Sequence, residues 1–135
     1  MTIEQNKRTA RRLVESLGNN GDTDAFDLLD TELVWTVMAD SGSFPVAGDM
    51  SKSQFIDHFE GFRNALPEGI NVVVTGMTAE GNRVAVEAES TAVLANGNRL
   101  NQVYHFLIEI EGSSITRVRE YIDTAHAVRV FGGDK

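Results

Sequence analysis

Three observations predict an α+β domain in which a strongly curved antiparallel sheet wraps around N-terminal helices and leaves a pocket between the two layers. Apolar residues recur at helical spacing through much of the first half and alternate from Ile70 onward. Two helix starts carry the capping-box pattern, Thr2 with Gln5 and Ser51 with Gln54. Two hairpin signals, Asn96-Gly97 and Glu111-Gly112-Ser113-Ser114, join long strands near the C-terminus. Helices followed by hairpin-linked strands make one layer of each kind, with the core between them.

Taken in order, Ile3, Ala10, Leu13, Val14 and Leu17 form the apolar stripe of a first helix that Gly18-Asn19-Asn20-Gly21 ends. Asp22 caps a second, shorter helix. Leu33 to Met38 is β-rich and contains Trp35, the chain's one tryptophan, before a Gly-, Ser- and Pro-bearing loop from Ala39 to Met50. The helix opened by Ser51 places Phe55, Phe59, Phe62 and Leu66 on one stripe and stops at Pro67-Glu68-Gly69. Strands follow over Ile70 to Ala79, Arg83 to Ala95, Asn98 to Ile110 and Ile115 to Asp123. Asp123 or Thr124 caps a short last helix, whose Val128, Val130 and Phe131 pack across the open end of the sheet.

Read as a two-residue loop, Asn96-Gly97 pairs Ala95 with Asn98, which sets Ala88 beside His105 and Ser90 beside Val103. The next turn sets His105 opposite Glu120. This register predicts that His105 and Glu120 face the helices, while Glu87, Glu89, Arg117 and Arg119 surround Tyr104 and Phe106 on the outer face. A histidine titrates near neutral pH and a carboxylate beside it can orient or charge the ring, so the pair is the candidate catalytic centre; the same pair also occurs as a satisfied structural contact. Tyr104, Phe106 and Ile108 are too apolar for a wetted surface, which predicts a homodimer through the outer sheet face. Trp35, Phe55 and Phe59 read as core fillers or as pocket wall.

The 135 residues suffice for a single domain over 1–135 with its own core. A formal charge of −8 repels nucleic acid and anionic membranes. The absence of cysteine removes disulfides and thiolate chemistry, and the polar start and lack of a long apolar run predict a soluble, cytoplasmic protein. His58 and His126 have no acid at metal-ligand spacing, so no metal site is expected.

Val34-Trp35-Thr36-Val37 leading to Val46-Ala47-Gly48, the ending Arg119-Glu120-Tyr121-Ile122-Asp123-Thr124 and the order of elements together resemble the SnoaL-like branch of the nuclear transport factor 2-like superfamily. The resemblance implies a cone-shaped sheet around a pocket, and a cofactor-free activity of the isomerase, cyclase or dehydratase type, or a non-catalytic binding or interaction domain. Comparison with the cyclases implies an acid and base at Glu120 and a partner at His105, and the glutamine two residues before that histidine falls on Val103. The ketosteroid isomerase base position falls on Ala39, next to Asp40, and the isomerase tyrosine on the first helix falls on Val14. The epoxide hydrolase Arg-x-Asp falls where Ala88 and Ser90 face inward. The implied ligand is a small hydrophobic organic molecule held by Trp35, Asp40, Phe55, Phe59, Ser90, Asn101 and Val103 beside the His105 and Glu120 pair.

Overall fold

A computed structural model describes residues 2–19 and 23–132. Both capping boxes form. Thr2 and Gln5 start α1 (Ile3–Glu15), with each side chain accepting the other's backbone N–H, and Ser51 and Gln54 do the same for α2 (Lys52–Asn64). The last helix, α3 (Thr124–Phe131), starts at Asp123, whose Oδ1 accepts the His126 N–H at 3.0 Å. Asp22, the expected cap of the second helix, lies outside the described residues. That element is a short 3-10 helix, Thr23–Leu28, and β1 (Leu29–Val37) begins directly after it rather than at Leu33.

The remaining strands are β2 (Gly48–Met50), β3 (Ile70–Glu80), β4 (Arg83–Val93), β5 (Arg99–Glu111) and β6 (Ser114–Ile122). They form one six-stranded sheet in the order β2-β1-β6-β5-β4-β3. The sheet is not wholly antiparallel, because β1 runs parallel to β6. No hairpin joins these two strands; one helix and four strands separate them in the chain, so connectivity leaves their relative direction free. Register breaks between Val74 and Gly76 and between Glu109 and Ile110 add local bends, and the curved sheet takes α1 over β3 and β4, α2 over β1 and α3 against β5. No helix is long and apolar enough to cross a membrane.

The core lies between helices and sheet. Trp35, Phe106, Leu13, Ile108 and Ile115 are its largest fully buried members, with Leu100 at the centre of a second cluster under α3. Trp35 stacks on Phe55 at 3.8 Å between ring centroids, and Phe55 on Phe59 at 6.0 Å, so the stripe of α2 continues the indole of β1.

The strand pairing departs from expectation by one residue, and this inverts a strand. Leu94 N–H donates to Asn98 O at 2.8 Å and Gly97 N–H to Leu94 O at 2.9 Å, so the loop is the three residues Ala95, Asn96 and Gly97, with Gly97 at φ +89°. A turn closed by a left-handed glycine is the three-residue alternative to the two-residue Asn-Gly turn. It pairs Ala88 with Tyr104 and Ser90 with Gln102. The second turn does set Glu111 opposite Ser114 as expected, but the break between Glu109 and Ile110 then sets Phe106 opposite Glu120 and His105 opposite Tyr121. A one-residue slip moves every side chain to the other face. Gln102, Phe106 and Ile108 are therefore buried on the inner face with Tyr104 beside them, while Val103 and His105 are exposed outside. The grounds for a dimer through Tyr104, Phe106 and Ile108 fall with that register. Glu87 and Glu89 face outward as expected, and Ala88 and Ser90 inward.

A Cβ at a left-handed position costs about 1–2 kcal/mol, so Gly97→Ala lowers the unfolding free energy by that amount in urea melts. An unchanged midpoint would show that the loop does not depend on its glycine.

Candidate functional site

The helices and sheet enclose a cavity of about 650 Å³. β1 supplies Trp35 to its wall, α2 supplies Phe55 and Phe59, β5 supplies Tyr104 and Phe106, and β6 supplies Glu120. The volume is that of a small-molecule pocket. Two stretches of chain close its mouth: the loop around Phe44 and Pro45, and α3 through Ala127, Val128 and Phe131. Polar ties anchor α3. The Gln102 side chain donates to Asp123 O and accepts from Asp123 N–H, the Asn101 N–H donates to His126 Nε2 at 3.0 Å, and the Asn96 and Asn98 amides donate to Val130 O.

Glu120 is the carboxyl on the sheet side of the wall. Its neighbours at two-residue spacing, Val118 and Ile122, share the inner face. Its Oε1 accepts the Trp35 Nε1–H at 2.8 Å, and among the described residues no other donor reaches the carboxyl. Removal from water disfavours the carboxylate and pushes this carboxyl above its ordinary value of 4.5, while the Trp35 hydrogen bond pulls it partly back. Tyr104 lies across the strand boundary with its hydroxyl 2.8 Å from Ser90 Oγ. Burial drives its phenol well above the ordinary range, the Ser90 bond opposes this, and the Glu120 charge adds to it. Tyr104 also stacks on Phe106, with 5.4 Å between centroids. On α2, His58 lines the cavity beside Asp57, and partial burial lowers its pKa from 6.5.

Of the expected site residues, Glu120, Trp35, Phe55 and Phe59 come together on the cavity. The others do not. His105 lies on the outer face, in edge contact with Tyr121 at 6.2 Å and paired with Glu87. Val103 is 53% exposed on the same face, as is Asn101 at its end. Asp40 stands in the exposed loop after β1, where its Oδ2 accepts the Ser43 hydroxyl. Ser90 is buried behind Tyr104 rather than on the wall. Among the other wall residues are Gln102, which the sequence did not single out, and Tyr104, which was expected on the outer face. The signal that finds them is the alternation of β5 itself: Leu100, Phe106, Ile108 and Ile110 share the phase of Gln102 and Tyr104, whereas the opposite phase carries Arg99, Asn101, His105, Glu109 and Glu111. Among the described residues, no three His, Asp or Glu side chains gather as a metal site.

The profile of the SnoaL-like domain matches residues 10–118. Solved structures of the same shape include a putative SnoaL-like polyketide cyclase from Jannaschia sp. CCS1, with 18% identity over 100% of this chain and 97% of that one at a TM-score of 0.79. A nuclear transport factor 2-like protein from Burkholderia pseudomallei K96243 shares 17% identity over 96% and 98% of the two chains, TM-score 0.80. An epoxide hydrolase-like protein of M. tuberculosis shares 17% identity over 97% and 90%, TM-score 0.73. Identities this low establish the fold alone. No curated protein matches the sequence.

A folded-state pKa above the ordinary one means that the fold prefers neutral Glu120. Its contribution is complete below about pH 4.5 and is lost as pH rises through the folded value. Glu120→Gln keeps an acceptor for Trp35 but cannot ionise, so the melting temperature of the variant gains on that of the wild type across this range. A constant difference at every pH would mean that the carboxyl titrates as it does in water. For Trp35→Phe combined with Glu120→Leu, a double-mutant cycle in urea gives a coupling of about 0.5–3 kcal/mol; additive losses would show that the bond contributes nothing.

Proposed function

Because the chain belongs to the SnoaL-like family of the nuclear transport factor 2-like superfamily, we propose that its cavity takes up a small, mostly apolar organic molecule and that Glu120 exchanges a proton with it. The observation that carries this reading is the desolvated carboxyl on the wall of an aromatic cavity, held by one indole N–H. In such a setting an acid stays protonated nearer neutral pH, donates to a bound acceptor, and takes a proton back once ionised. The chemistry fits isomerisation, cyclisation or dehydration through a carbon acid, each of which moves a proton at an activated C–H.

The register supports Glu120 as the centre and removes its expected partner. On β5 the inward phase carries Gln102 and Tyr104 in place of Val103 and His105. Both are occupied, Gln102 by the Asp123 backbone and Tyr104 by Ser90. Tyr104 still presents a phenol at the wall, able to donate to a developing oxyanion when Ser90 is the donor in their bond. The same occupancy favours a second reading, a binding domain without turnover, because it leaves Glu120 without a free polar partner on β5. Hydrolysis by the epoxide hydrolase arrangement is not supported, since β4 faces the interior with Ala88 and Ser90.

Trp35 is the only tryptophan and stands on the cavity wall, so its fluorescence reports occupancy directly. With acetylnaphthalene in deuterated water, saturable quenching should accompany accelerated exchange of the methyl protons next to the carbonyl, followed by NMR. In Glu120→Gln, quenching persists and exchange falls by about 100-fold or more. Quenching without exchange in the wild type would select the binding reading, and no quenching by any apolar probe would remove both.

A further inference from the structure

The geometry points to a ligand with a positively charged nitrogen on its apolar body, seated against the aromatic rings with Glu120 as its counter-ion. This inference rests on the reading of the cavity as the ligand site and adds the ligand's charge class.

Three features of the wall carry it. First, its acidic groups have no basic counterpart: Glu120 on β6 and Asp57 on α2 are acids, and among the described residues no Lys or Arg lines the cavity. Second, the surface around the acid is aromatic. Trp35, Phe55, Phe62, Tyr104 and Phe106 line the cavity beside Phe59, over which the Arg63 guanidinium already stands 5.5 Å from the ring centroid, and ring faces attract a cation that has left water. Third, among the described residues the Glu120 carboxyl has the Trp35 indole as its single donor, and no Lys or Arg of them pairs with it. A wall built for an anionic ligand would place a guanidinium or ammonium where this one places acids.

Burial strengthens the pairing. An isolated carboxylate in this cavity is penalised, which raises the Glu120 carboxyl above its ordinary value. A permanent cation brings the missing charge, the proton leaves to solvent, and the pair forms where little water weakens it. The titratable groups that share the cavity with Glu120 are Tyr104 on β5 and Asp57 and His58 on α2. Tyr104 and His58 are both held in their neutral forms near pH 7 by burial, so neither supplies a competing cation.

The test uses two probes of one shape: the naphthylethyl trimethylammonium cation, and the neutral isostere in which a carbon atom replaces the nitrogen. Displacement of a fluorescent apolar dye gives both affinities on the intact protein. The cation should bind about tenfold or more tightly than the isostere at pH 8, and that advantage should shrink toward pH 4.5 as Glu120 is kept protonated. Because the probe's charge does not titrate, the wild-type pH series alone tests the pairing. Glu120→Gln should cancel most of the preference for the cation over the isostere. If the isostere binds as well as the cation at every pH, the cavity remains a ligand site and the charge class is wrong. If neither displaces the dye, the inference falls together with the reading beneath it.

Discussion

The hydrogen bond from the Trp35 indole to Glu120 ties the core of this protein to its cavity. Trp35 is 1% exposed and stacks on Phe55, which stacks in turn on Phe59. One ring system therefore anchors α2 to β1 and presents its N–H edge to β6. The parallel pairing of β1 with β6 makes this possible by setting Trp35 opposite Val118, two residues before Glu120. A carboxyl without that donor would face apolar side chains alone. With it, the acid is held in place yet still poorly solvated, the combination that makes a buried carboxyl chemically responsive.

The closure of the cavity depends on polar ties rather than on more apolar area. Gln102 could have been a wall group free to meet a ligand, but its amide is spent on the Asp123 backbone that starts α3. His126 and the Asn96 and Asn98 amides repeat this at intervals along the helix. An eight-residue helix has little stability of its own, so its position at the mouth follows from these anchors and from Ala127 and Val130 packing beneath it.

Much of the fold was legible because its signals are local. Both capping boxes, the Asp123 cap, the limits of β3 to β6 within two residues and the stripe of α2 follow from side chains acting on their own neighbourhood. The parallel β1–β6 pairing is non-local and carries no sequence mark of its own. The site was legible in part. Glu120, Trp35, Phe55 and Phe59 were found, whereas His105 was misplaced, because Asn96-Gly97 permits two loop lengths and only one of them keeps the apolar residues of β5 inside. The choice that turned His105 inward also exposed Tyr104, Phe106 and Ile108. Burying three large apolar groups outweighs bringing one histidine to one carboxylate, and the fold follows the larger sum.

The site depends on a Glu120 carboxyl that desolvation in the cavity holds above its ordinary value. The most direct measurement is an NMR titration of the Glu120 side-chain carboxyl carbon in isotopically labelled protein, assigned by its loss in Glu120→Gln. The account predicts a midpoint displaced upward from 4.5, moving higher still in Trp35→Phe, where the opposing hydrogen bond is gone. A midpoint at the ordinary value in the wild type would contradict it, since the carboxyl would then be meeting water rather than the cavity.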